Sequence, residues 1–242
     1  MPNYLSTKPI PLADRLIMAL DVPGIPEAKA LVEEIGPAVT FYKVGLELFM
    51  SGDYFGLIDW LKARDKKVFV DLKFFDVPET VARAVRAISK RGVDFATIHG
   101  NDAIMEAAGR EKGDLKVLAV TVLTSLDRGD LTDLGFQCDV QQLVLSRARR
   151  ALRLGCDGVV SSGLEAPLLR AEIDHKLLVV TPGIRPVDNR PVDDQKRIVT
   201  VEQAFLNGAD HIVVGRPIRD AANRREAAEL VQRQISAAFS GQ

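Results

Sequence analysis

Cysteine is nearly absent: Cys138 and Cys156 are the only two in 242 residues. Two thiols cannot build a disulfide framework, and their spacing fits no metal motif. They read as free or buried thiols in a reducing cytoplasm. Histidine is equally sparse, at three, and no HxH, HExxH or CxxC occurs, so no tightly held transition metal is expected. No GxGxxG follows a strand-like run, which argues against a dinucleotide cofactor. Neither sign of charge dominates: 32 Lys and Arg face 33 Asp and Glu, a net charge of −1. That balance offers no field for nucleic acid or an anionic membrane, so any phosphate must be held locally. The apolar runs, such as VLAVTVL, fall far short of the roughly 20 residues a membrane helix needs. MPNYLSTKPIPLADR lacks the basic start and apolar core of a signal peptide, and a cytoplasmic location is expected.

Hydrophobic residues make up 47% of the chain and charged residues 27%, as in an ordinary globular protein. Short β-branched runs alternate with longer helical patterns. The runs cover Leu16–Asp21, Thr40–Val44, Lys67–Leu72, Phe95–His99, Val117–Leu123, Gly158–Ser161, Leu177–Thr181 and His211–Gly215. Amphipathic helices are expected over Pro26–Ile35, Tyr54–Arg64, Pro78–Arg91, Ala103–Lys112, Val140–Leu154, Leu164–Ile173, Val201–Asn207 and Ala221–Ala238. Continuous apolar strands imply burial on both faces, hence a parallel sheet covered by helices. Eight strand–helix units in a chain near 250 residues suit an α/β fold closed as a (β/α)8 TIM barrel, with an open doubly wound sheet as the alternative. The expectation is one barrel domain over residues 1–242, with residues 1–13 as an N-terminal extension. Gly92, Gly155 and Gly208 each close a helix before a strand, where a left-handed cap is needed.

Polar residues gather at the C-terminal ends of these strands, the end where such barrels carry their chemistry. Asp21 ends the first, Lys43 lies in the second, and Asp71, Lys73 and Asp76 sit in and beyond the third (DLKFFD). Residues two apart on a strand share a face, so Asp71 and Lys73 should point together into the barrel mouth, where Lys43 can join them. Buried charges are costly unless paired, so an alternating array there points to a task. Pro182, Gly183 and Arg185 follow the seventh strand, and Gly215 and Arg216 the eighth. Glycine lets backbone N–H groups approach an anion and arginine clamps it, so these read as a phosphate site. Asp21 suits ribose hydroxyls, Thr124 and Ser125 a base edge, and His99 a structural role.

Read together, these blocks resemble the orotidine 5′-phosphate decarboxylases of the short stand-alone bacterial type. The likeness rests on Ala19-Leu20-Asp21, Lys43-Val44-Gly45, DLKFFDVPET (Asp71 to Thr80), Leu123-Thr124-Ser125, TPGIRP (Thr181 to Pro186), Gln195 and VVGRPI (Val213 to Ile218). DxKxxD alone is shared with related sugar-phosphate decarboxylases and aldolases, which often use Mg2+; its combination with TPGIRP and VVGRP is narrower. The resemblance implies a cofactor-free conversion of orotidine monophosphate to UMP and a catalytic tetrad of Lys43, Asp71, Lys73 and Asp76. It also implies a homodimer in which Asp76 and Thr80 serve the other subunit's site, and ligand contacts from Asp21, Thr124, Arg185, Gln195, Gly215 and Arg216. Within this scheme Lys73, flanked by Asp71 and Asp76, protonates C6. Arg185–Gln195 is expected to be a phosphate-gripping loop.

Overall fold

The computed structural model describes residues 4–185 and 198–240. Gln195 and most of the proposed gripping loop lie outside them. Eight parallel strands close into a barrel in sequence order: β1 (Leu16–Ala19), β2 (Phe41–Gly45), β3 (Lys67–Phe74), β4 (Phe95–His99), β5 (Lys116–Val120), β6 (Gly158–Val160), β7 (Leu178–Thr181) and β8 (His211–Val214). The barrel is a closed ring, so the open-sheet alternative is excluded. Helices wrap it in chain order: α1 (Ile25–Ile35), α2 (Leu46–Phe49), α3 (Tyr54–Lys62), α4 (Pro78–Ser89), α5 (Asp102–Glu111), α6 (Arg128–Asp133), α7 (Val140–Arg153), α8 (Ala166–Glu172), α9 (Val201–Leu206), α10 (Arg216–Arg219) and α11 (Arg224–Phe239).

All eight expected helices are present within a few residues of their expected ends. The sequence pattern does not announce α2, α6 and α10, because each spans only four to six residues, too short to show a helical period. β1, β5, β6 and β8 stop sooner than their apolar runs, β4 and β7 end where expected, and β2 and β3 run one and two residues further. β1 ends at Ala19 rather than Asp21 because Pro23 and Gly24 turn the chain away, although the Leu20 N–H still donates to the Lys43 carbonyl at 2.9 Å. Gly92, Gly155 and Gly208 take the expected positive φ (68°, 89° and 103°). At Gly208 a Cβ would also lie 2.6 Å from Arg170 Cγ, so space as well as conformation demands glycine.

The period of two along each strand divides the apolar residues into two cores. Leu16, Met18, Tyr42, Val44, Val68 and Val70 pack outward against the helices. Ile17, Ala19, Phe41, Phe69, Phe95, Leu118, Val180 and Val213 fill the barrel itself. Phe41 and Phe95 meet edge to face at 5.0 Å, and Phe69 and Phe95 at 6.0 Å, giving the interior a rigid aromatic floor. Followed toward the C-terminal end, the inward rows change character. Phe41 is succeeded by Lys43, Phe69 by Asp71, Phe95 by Thr97, and Ala19 by Asp21.

At the opposite end of the barrel, Asp210 is fully buried at the start of β8. Arg170 reaches it at 2.6 Å, Lys8 at 2.9 Å and the Ser6 hydroxyl at 2.5 Å. Burial pushes the Asp210 carboxyl up, but Arg170 and Lys8 pull harder and leave it below the ordinary carboxylate range. Ser6 and Lys8 thereby tie the N-terminal segment to the barrel floor.

Candidate active site

The C-terminal mouth encloses a cavity of about 280 Å³. Its polar side carries Asp21, Lys43, Asp71 and Lys73. Thr124, Ser125, Pro182, Gly183, Arg185, Gly215 and Arg216 complete the rim, and Val120, Val160 and Val213 form part of an apolar wall. The mouth therefore brings together eleven of the fourteen candidate residues named from the sequence. Asp76 and Thr80 are the exceptions among the described residues, and Gln195 lies outside those.

The ionic array is continuous. Lys43 Nζ lies 3.0 Å from Asp21 Oδ1 and 3.6 Å from Asp71 Oδ2. Lys73 Nζ lies 3.0 Å from each Asp71 oxygen. Burial pushes the Asp71 carboxyl up, but Lys43 and Lys73 together with the Lys73 and Thr97 hydrogen bonds outweigh it, so the group stays below its ordinary value and ionised. Burial pulls the Lys43 ammonium down, and Asp71 and Asp21 raise it past the ordinary lysine value. Gly45, next in the inward row of β2, leaves room for this ammonium: a Cβ there would sit 3.3 Å from Lys43 Nζ.

Regular alternation does not explain how Lys73 enters the mouth. Val70 pairs with Ala96 and Phe74 with Ile98, so β3 spends four residues where β4 spends two. Lys73 sits in this bulge with φ 49°, a left-handed conformation that costs a non-glycine residue about 1–3 kcal/mol. The expectation that Asp71 and Lys73 converge is met, but by a bulge rather than by the strand period. Thr97, fully buried on β4, faces the bulge. Its hydroxyl donates to Asp71 Oδ1 at 2.9 Å and accepts from the Lys73 N–H at 3.0 Å.

Asp76 stands apart from the array. It does not flank Lys73 of its own chain. Its carboxylate is exposed and accepts from the Val77 N–H at 2.6 Å, and it stands outside the cavity. β3 has ended at Phe74, and Pro78 starts α4, which carries the exposed Thr80 away from the mouth. Phe75 and Val77, on either side of Asp76, are also exposed. His99 is half-buried against Phe75, with ring centroids 4.6 Å apart. Burial, then Arg147 and Lys73, lowers its imidazole below the ordinary value, so it is neutral near pH 7.

Sequence reasoning missed Thr97 and Arg219 and assigned no role to Gly45. Arg219 lines the cavity, donates to the Asp21 carbonyl at 2.8 Å and forks onto Asp220 at 2.6 and 3.0 Å, so it holds the loop after β1 in place. Its signal was its place in GRPIR, one helical turn after Arg216. Among the described residues, no group of three or more His, Cys, Asp or Glu side chains is gathered to hold a metal ion. Nor is any helix among them long and apolar enough to cross a membrane.

Residues 14–231 match the profile of the orotidine 5′-phosphate decarboxylase / HUMPS family. An orotidine 5′-phosphate decarboxylase of Methylococcus capsulatus is 78% identical over 240 residues, covering 99% of both chains. One from Xanthomonas euvesicatoria is 49% identical, covering 97% of this chain and 98% of that one. The crystal structure of orotidine 5′-phosphate decarboxylase from Lactobacillus acidophilus superposes with a TM-score of 0.81 at 32% identity, covering 92% of this chain and 99% of that one. With a closed barrel, a charged mouth and likeness along nearly its whole length, the chain belongs to the orotidine 5′-phosphate decarboxylase / HUMPS family.

Proposed function

We propose that the chain decarboxylates orotidine 5′-phosphate to UMP and CO2, the last step of de novo pyrimidine nucleotide synthesis, and does so without a cofactor. The observation that carries this reading is the Lys43–Asp71–Lys73 array, set in one cavity with Arg185 and Arg216. The near-full-length 78% identity to a decarboxylase favours this branch of the family over its sugar-phosphate branch.

Breaking the bond from C6 to the carboxylate leaves an electron pair in the plane of the pyrimidine ring. That pair is orthogonal to the π system, so the ring cannot delocalise it well. A fixed positive charge beside C6 stabilises it, and Lys73 then gives its proton to C6 as CO2 departs. Solvent restores the proton to Lys73. Asp71 holds the Lys73 ammonium in position, and Lys43, between Asp21 and Asp71, orders the two carboxylates and reaches the ribose. Asp71 also faces the departing carboxylate. Two like charges at about 4 Å interact by roughly 4 kcal/mol at an effective dielectric of 20. Slow reactions need about 20 kcal/mol of barrier lowering, so stabilisation of the carbanion and energy from gripping the phosphate must supply most of it.

In this reading Arg216, Arg185, Gln195 and the backbone at Gly215 bind the phosphate. Asp21 takes the ribose hydroxyls, and Thr124, Ser125 and Pro182 line the base. The exposed Asp76 and Thr80, set beside bare Phe75 and Val77, support a homodimer in which both residues complete the partner's site. The two free cysteines suit a cytoplasmic enzyme. The test is a spectrophotometric assay of orotidine monophosphate loss with and without EDTA. Turnover indifferent to the chelator supports the reading, and no turnover overturns it.

A further inference from the structure

We infer that Thr97 is a positioning residue for the proton donor: its one hydroxyl fixes both the backbone turn that delivers Lys73 and the carboxylate that receives its ammonium. The inference rests on the decarboxylase reading above.

A threonine hydroxyl has one proton and two lone pairs. Here the proton goes to Asp71 Oδ1 at 2.9 Å, and a lone pair accepts the Lys73 N–H at 3.0 Å. That N–H belongs to the bulge, where the regular ladder with β4 is interrupted, and it turns to the Thr97 hydroxyl of that strand. The same residue holds φ 49°, a conformation that persists only where its surroundings enforce it. Thr97 comes from the neighbouring strand and is fully buried, so it does not drift with solvent. Its hydroxyl bridges the two groups whose relative placement sets the reaction geometry. Lys73 Nζ then closes the ring on Asp71 at 3.0 Å. Removing the hydroxyl would leave the half-buried N–H and one carboxylate oxygen without this partner. The bulge and the carboxylate would then be free to move separately.

Thr97→Val keeps the shape and β-branching and removes the hydroxyl, while Thr97→Ser keeps the hydroxyl and removes a methyl. For Thr97→Val, kcat for orotidine monophosphate is expected to fall about 10- to 100-fold, the cost of a small displacement of a catalytic group. KM and the Kd for UMP should stay within about threefold, because the phosphate and ribose contacts lie elsewhere. Thr97→Ser should recover kcat to within about fivefold of wild type. Full UMP-binding stoichiometry by calorimetry establishes that each variant is folded. A kcat for Thr97→Val close to wild type, or a loss in Thr97→Ser as large as in Thr97→Val, would overturn the positioning role. A wild-type chain inert toward orotidine monophosphate would instead overturn the functional reading on which this role rests.

Discussion

Lys73 Nζ stands 3.0 Å from both oxygens of Asp71, although the two residues are separated by only one position in the chain. A straight strand would leave both side chains parallel. The bulge folds the lysine back over the carboxylate, and Lys43 approaches from the other side. Cation, anion and cation are thereby stacked at the mouth of a barrel whose interior packs Phe41, Phe69, Phe95, Leu118 and Val180.

On the proposed reading, Arg216 and the array act on different parts of the substrate. Arg216→Ala should weaken UMP and orotidine monophosphate by about 10- to 100-fold, as expected for one charge-assisted bidentate contact worth about 1.5–3 kcal/mol. Uridine, which has no phosphate, should bind wild type and variant alike. Calorimetric titration of all three ligands checks this, and equal UMP affinity in the variant would place the phosphate elsewhere.

Sharing of Asp76 between subunits can be tested by complementation. Lys73→Ala and Asp76→Asn homodimers should each be nearly inactive. Unfolded together and refolded at equal ratio, they form mixed dimers in which one site has both lesions and the other has neither. About a quarter of wild-type activity should return. No recovery, with mixed dimers confirmed by mass, would mean that Asp76 does not act across the interface.

Much of this was legible in the sequence. Lysine and aspartate inside apolar strands (FYKVG, VFVDLKF) are conspicuous because burial of charge is costly. The eight-unit alternation fixed the topology because consecutive parallel strands leave few ways to close. Thr97 was not legible: threonine is an ordinary strand residue, and FATIH gives no sign that its hydroxyl faces a bulge two strand positions above Phe95. The bulge itself was hidden because DLKF reads as a regular alternation. Arg219 was hidden because its role is to hold the Asp21 carbonyl, a contact made across 198 residues. Asp76 lies only three positions from Lys73 in sequence, yet the chain turns into α4 before it can return to that ammonium.

His211 should make the fold sensitive to mild acid. Burial among Phe41 and Phe95, only partly offset by the hydrogen bond from Nδ1 to the Asp14 carbonyl, lowers its imidazole to about 4. Below about pH 6.5 the unfolded chain takes up a proton that the folded chain refuses until about pH 4. Stability is therefore complete above pH 6.5 and falls between 6.5 and 4, by as much as about 3 kcal/mol. Urea denaturation of wild type and His211→Gln across pH 4–7 checks this, with the variant expected to lose most of the slope. The Asp210 cluster acts separately, at lower pH: its carboxyl is depressed, so its contribution persists until pH falls past the ordinary carboxylate range.

Most directly, turnover of orotidine monophosphate should be followed for wild type and Lys73→Ala in parallel, in EDTA, with UMP binding as the measure of folding. The expected result is chelator-resistant turnover by wild type and a loss of at least about 10⁴-fold in the variant at near-normal UMP affinity, the combined effect of removing a proton donor and a fixed charge. A folded Lys73→Ala chain that still decarboxylates at a rate near wild type would contradict the role of the Lys73 ammonium.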